Sequence, residues 1–417
     1  MTRAQFGLIQ TTAMKTIFML SFLPWLFFGC RHPEATDRTD TLFIPAAIFE
    51  NPDPLPLSTI AKGSRYLLID TTGGHYIKRI NGLANFGDSY LIYDDQGVFY
   101  TISPQGRVLS TFQHQGKGPG EYLDIDDIAI NPSNLDIYVN SSRLKKIIHY
   151  DSTGNLLHEL SVKNYYINEL TFKDGHLLAM SSFPMFLNEY HHLQFLFVYD
   201  QNLNLVTSRE HPHWTEFKES YLQAAIMPMR TFDLGPQLVF YEMYQNGRFY
   251  KTNTQKKWSI DEWLSILLEN SLSDDMLLQS VGSSVDDDHL DGHHLIQSVV
   301  GSPRYLFLTI NEGSIFTFKS VLIDTQNNTI TGIQDFAGYN RFWDDLNGFF
   351  SFWPSGYLSG TNEAYDYSYD PGKMEQEYQE ALAIAPDFMH RADSSVLDLF
   401  DTAKRMGNPV IQLVKLK

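Results

Sequence analysis

A unit of short apolar strands recurs along this chain, and no other feature constrains its fold as tightly. One copy reads Tyr90-Leu91-Ile92-Tyr93, then 98–102, a Pro104-Gln105-Gly106 turn, then 108–112. The next reads 135–139, 146–150, the turn Asp151-Ser152-Thr153-Gly154, then 156–160. A third has 177–180, 195–199, the turn Asp200-Gln201-Asn202, then 203–206. The turn marker moves from Ser103 to Asp151 to Asp200, in steps of 48 and 49. Looser copies follow at 238–253 and 305–327, and a degenerate sixth is expected around 348–352. A period near 48 with several strands per unit predicts a β-propeller. One four-stranded sheet cannot cover both its faces, so units must stack around an axis. A β-sandwich with a second domain is the alternative, and it gives no reason for even spacing. The aromatic content of 14% fits strands, where flat rings pack on a pleated surface.

The end of the chain breaks the pattern. One helical stretch is expected between 381 and 405, starting at Ser394-Ser395, with an apolar face of Val396, Leu397, Leu399, Phe400 and Ala403. Gly407 and Pro409 stop it, and the last eight residues return to strand. A late strand joining an early one would close the ring and leave no unpaired edge there. The expected fold is therefore all-β: a six-bladed propeller with a short C-terminal helix and a closing C-terminal strand.

The N-terminus carries an address. Residues 17–29 are apolar and uncharged, with Lys15 before them and the chain's only cysteine, Cys30, after them. Thirteen residues are too few to span a bilayer as a helix, which takes about 20. They match the apolar core of an export signal. Met14 is the more natural start. The run Phe27-Phe28-Gly29-Cys30 resembles the lipobox of bacterial lipoproteins, with Phe27 in place of the usual Leu. That resemblance implies cleavage before Cys30 and lipid on it. The expected domains are a signal at 1–29, a lipidated Cys30 with a Pro-rich tether over 30–56, and one propeller over 57–417.

Beyond the tether, the segment Gln115-Gly116-Lys117-Gly118-Pro119-Gly120-Glu121-Tyr122 followed by Asp126-Asp127-Ile128-Ala129-Ile130 resembles the six-bladed propeller lipoproteins of Bacteroidetes, related to NHL-type and TolB-like propellers. Leu57-Ser58-Thr59-Ile60 is similar to that family's N-terminal motif, and 407–417 to its terminal strand. The resemblance covers roughly 55–417 and implies the same fold and an envelope location. It implies no particular activity.

Charge and motifs narrow the function. Against 31 Lys+Arg stand 49 Asp+Glu, a formal net charge of −18. That excludes a nucleic-acid partner, which needs clustered cations. Loss of Arg3 and Lys15 with the signal takes the mature chain to 29 − 49 = −20. One cysteine excludes internal disulfides and Cys-based zinc sites. The loop Gly116–Tyr122 is Gly-rich and holds Lys117, yet Pro119 removes an amide and a strand follows, so it is no phosphate loop. It reads as an inter-blade turn whose Gly116, Gly118, Pro119, Gly120, Glu121 and Tyr122 could border the axial channel. Metal candidates are Asp286, Asp288, His289 and His293, although a calcium-loop template fails at His289 and Ser298. His213 and Trp214 are candidates for holding a ring-shaped ligand. No G-x-S-x-G elbow occurs, and no catalytic residue or cofactor is expected. The long loops 211–235 and 263–295 are where function would collect.

The expected function is a lipid-anchored envelope module that binds an unknown ligand, a glycan or a peptide. A glycan hydrolase or lyase with its site on the axial face, and a structural subunit of an envelope complex, are the alternatives.

Overall fold

The computed structural model describes residues 40–70, 73–74, 76–162, 166–183, 194–210, 212, 229–234, 237–242, 247–254, 257–273, 291–314, 316–347, 350–368, 370–384 and 394–417. Strand β1 (Asp40–Ile44) is followed by β2 (Ala61–Leu68). Blade 1 holds β3 (Ile80–Phe86), β4 (Ser89–Asp94), β5 (Phe99–Ile102) and β6 (Val108–Phe112). Blade 2 holds β7 (Asp127–Ile130), β8 (Ile137–Ser141), β9 (Lys146–Tyr150) and β10 (Leu156–Ser161). Blade 3 holds β11 (Tyr166–Lys173), β12 (His176–Phe183), β13 (Gln194–Tyr199) and β14 (Leu205–Glu210). Blade 4 holds β15 (Met229–Asp233), β16 (Gln237–Glu242), β17 (Arg248–Asn253) and β18 (Ser259–Leu268). Blade 5 holds β19 (His294–Gly301), β20 (Tyr305–Glu312), β21 (Phe318–Asp324) and β22 (Thr329–Ile333).

The sixth sheet closes the ring. Its order is β2, β25 (Val410–Leu416), β24 (Glu363–Ser368) and β23 (Gly356–Leu358). The C-terminal strand thus lies between β24 and the strand contributed by the other end of the chain. Ala61 pairs with Leu416 and Leu68 with Val410. The sixth copy expected around 348–352 lies a few residues further on: Phe352 makes an isolated bridge with Phe342, and β23 starts at Gly356. The ranges read as long loops are likewise shortened, because β15 occupies 229–233 and β18 runs to Leu268.

The apolar runs read in the sequence follow from burial on both faces. Neighbouring residues in a strand point into different inter-blade spaces. Leu91 packs toward blade 2 with Val139 and Ile148, while Ile92 packs toward blade 6 with Leu67 and Leu413. Among the described residues the core accordingly has six inter-blade apolar clusters, one between each pair of adjacent blades, and a seventh where the C-terminal helices pack on blade 6. The turn markers act locally. Asp151 Oδ1 accepts from the amides of Thr153 (2.8 Å) and Asn155 (2.9 Å). Asp200 Oδ1 accepts equivalently from Asn202 and Asn204, both at 2.9 Å. These side chains fix the corner between the third and fourth strands.

Two findings depart from the sequence reading. Residues 40–56, expected as tether, belong to the folded unit. β1 lies parallel on β18 as a fifth strand, and Ile44, Phe49 and Leu57 are buried. Prolines bar a central strand, but a strand at a sheet edge tolerates its neighbours' prolines. Second, among the described residues a further helix, α1 (Pro371–Ile384), stands between β24 and β25 besides the expected one, α2 (Ser394–Met406). α2 starts at Ser394 as expected, and its Ala403 is buried, but Leu397 is 40% exposed. α1 was signalled by Asp370-Pro371. Asp370 Oδ1 accepts from Gly372 N (3.0 Å) and Lys373 N (3.1 Å), and proline suits the first helical position. Met374 and Tyr378, one turn apart, bury its inner face.

Candidate functional site

The innermost strands of the blades leave an axial cavity of about 480 Å³. That volume lies in the range of small-molecule sites. It opens where the first strands of five blades end and turn into the second, blade 2 contributing Ile130 and Leu135. Asn85 comes from β3, Thr171 and Phe172 from β11, Asp233 from the end of β15, and Tyr357 and Thr361 from β23 and its turn.

These groups are held from behind. Lys173 Nζ donates to Asp233 Oδ1 at 2.6 Å, tying blade 3 to blade 4. Tyr357 Oη donates to Asn362 Oδ1 at 2.8 Å. Burial, and after it the charge of Asp233, pushes the Tyr357 phenol up to about 12. It therefore stays protonated at neutral pH. Thr361 Oγ1 is buried with no hydrogen-bond partner. Phe172 stacks on Tyr138 at 5.7 Å and 20°. Tyr138 stacks in turn on His149 at 4.3 Å and 15°, and its hydroxyl donates to the Gln201 carbonyl at 3.0 Å. His149 Nε2 lies 2.9 Å from Asp136 Oδ2. The Phe172 ring is thus the inner end of a fixed stack across blade 2.

The glycine-rich motif stands elsewhere. It joins β6 to β7, and none of its residues lines the cavity. Gly120 has φ +67°, its amide donates to Glu159 Oε2 (2.8 Å), and its carbonyl accepts from Tyr150 Oη (2.6 Å). Lys146 Nζ bridges the Gly118 carbonyl (2.9 Å) and Glu159 (2.8 Å). Glu121 turns back onto its own loop, where Oε2 accepts from Gly118 N at 2.7 Å. A Cβ on Gly116 would stand 2.0 Å from that same oxygen. Tyr122 is buried, donating to the Gly97 carbonyl (2.6 Å) and accepting from His114 N (3.1 Å). Gly116, Gly118, Pro119, Gly120, Glu121 and Tyr122 therefore form a clasp between blades 1 and 2.

His213, Trp214, Asp286, Asp288, His289 and Cys30 lie outside the described residues. His293 is described: it is half-buried, its carbonyl accepts from Gly313 N, and its Nδ1 is buried without a partner. Among the described residues no group of three or more His, Cys, Asp or Glu could hold a metal, and no helix is long and apolar enough to cross a membrane. The cavity residues had no sequence signal, since each blade supplies only one to a few of them.

Fold and cavity define a six-bladed β-propeller with an axial pocket at one end. Residues 40–415 match the family described as domain of unknown function DUF4934, and the chain belongs to that family. It is similar in structure to a Bacteroides fragilis protein whose export is inferred, with a TM-score of 0.66 and 16% identity, over 90% of this chain and 99% of that one. At that identity the likeness shows the fold alone. A member of the DUF4221 family from Bacteroides vulgatus (TM-score 0.43, 8% identity, 65% of this chain and 84% of that one) is more distant. So is BamB from Moraxella catarrhalis (0.37, 10%, 65% and 66%). No curated protein matches.

Proposed function

We propose that this chain is an exported, lipid-anchored propeller that binds a ligand in its axial cavity. The observation that carries the reading is the cavity itself: about 480 Å³, bordered by convergent polar groups and a supported aromatic ring. A concave site on a rigid scaffold with few placed polar groups is the usual form of a ligand pocket. The anchor rests on the apolar run ending at Cys30. Two or three acyl chains, each methylene contributing about 0.8 kcal/mol, hold a protein stably on a membrane. The first described strand starts at Asp40, with nine residues between it and Cys30 in the sequence.

Labelled fatty acid fed to expressing cells tests the anchor. The wild type incorporates label and Cys30→Ala does not; label retained in the variant would refute lipidation at this residue.

A further inference from the structure

The cavity's chemistry narrows its ligand. Its lining combines the aromatic side chains of Phe172 and Tyr357 with hydroxyl, amide and carboxylate groups at different positions round the rim. A peptide strand would need a row of backbone partners, and a hydrocarbon would need an unbroken apolar wall. Here Asn85, Thr171, Asp233 and Thr361 interrupt the apolar surface. A pyranose has the complementary pattern: an apolar C–H face for a ring to stack on, and a girdle of hydroxyls that both donate and accept.

We infer that the axial cavity takes a short saccharide, with one sugar ring stacked on Phe172 and its hydroxyls bonded to Asp233 and Asn85. This rests on the proposal that the cavity is the ligand site. Phe172 is suited to the role because Tyr138 already covers part of the ring and fixes its plane. Stacking then costs little side-chain ordering on binding. Asp233 supplies an acceptor for sugar hydroxyls while Lys173 holds the carboxylate in place. Asn85 offers an amide that donates and accepts at the same rim.

The test uses the soluble chain from Arg31 on two arrays. One carries hexose and N-acetylhexosamine oligosaccharides of two to four units, the other peptides. The wild type, Phe172→Tyr and Phe172→Leu are compared, with melting curves for each. Leucine keeps the apolar bulk and removes the flat face; tyrosine keeps both. The expected result is saccharide binding, retained within about threefold in Phe172→Tyr and weakened about tenfold or more in Phe172→Leu at a similar melting temperature. Should Phe172→Leu fail to fold, Asn85→Ala and Asp233→Asn are read instead, with the same weakening expected. Peptide binding that these substitutions abolish would overturn the saccharide assignment and keep the cavity as the site. Saccharide binding that none of them alters would overturn both, as would binding of neither class.

Discussion

Gly120 and Glu121 are adjacent in sequence and do different things. Gly120 sits at φ +67°, where a Cβ is strained, and that Cβ would stand 2.8 Å from Leu156 Cδ2. Gly120→Val should therefore lower stability by about 1–3 kcal/mol, read as a shifted denaturant midpoint at unchanged slope. Glu121→Gln keeps an acceptor for Gly118 N and does not border the cavity, so binding should be unchanged and the midpoint nearly so. His149 makes a residue-scale prediction of another kind. Burial lowers its pKa, against the opposing pull of Asp136, and its Nδ1 is buried with no acceptor for a second proton. The folded state thus resists protonation that the unfolded chain accepts near its ordinary value of about 6.5. Its contribution to stability is complete above that pH and is lost as pH falls below it. Denaturant midpoints measured from pH 7.5 to 5 should fall less steeply in His149→Gln than in the wild type. Parallel profiles would show that His149 does not titrate across unfolding.

At the scale of the element, strands differ in what depends on them. β25 pairs with β2 on one side and β24 on the other, so removing 408–417 leaves β2 without a partner, bares one edge of β24 and opens the ring. That truncation should abolish soluble folding. β1 has a partner on one side only and buries Ile44 alone among its five residues. Removing residues up to 44 should lower the melting temperature and leave a cooperative, folded propeller. Equal melting of wild type and the 408–417 deletion would contradict the closing role. The elements also show what was legible beforehand. Blades 1 to 3 could be read because strands buried on both faces write apolar runs such as Tyr90-Leu91-Ile92-Tyr93, and because Ser103, Asp151 and Asp200 punctuate them. Blade 6 could be read only at its closing strand. Its β23 has three residues, the helices α1 and α2 interrupt it, and β2 comes from the far end of the chain. For α1 the local signal is Asp370-Pro371 at its start, with Met374 and Tyr378 as its buried face. β1 was hidden by prolines, which signal an edge as readily as a tether.

The whole molecule explains why the candidate site could not be read from local motifs. The visible motif, Gly118-Pro119-Gly120-Glu121-Tyr122, is conspicuous because a clasp between blades needs tight backbone turns and a buried phenol. The cavity uses ordinary residues at strand ends, and only ring closure brings Asn85, Phe172, Asp233, Tyr357 and Thr361 together. The central claim is that the ligand lies in that axial cavity. The chain from Arg31 contains no cysteine, so a single one can be placed at will. Ser359→Cys puts a thiol at the exposed rim of the cavity, and Leu205→Cys puts one on the outer strand of blade 3, where Leu205 is 57% exposed. Each variant is coupled to a bulky maleimide, and array binding is compared before and after coupling. The account predicts that the label at 359 abolishes binding and the label at 205 leaves it intact; binding that survives a fully labelled 359 would contradict it.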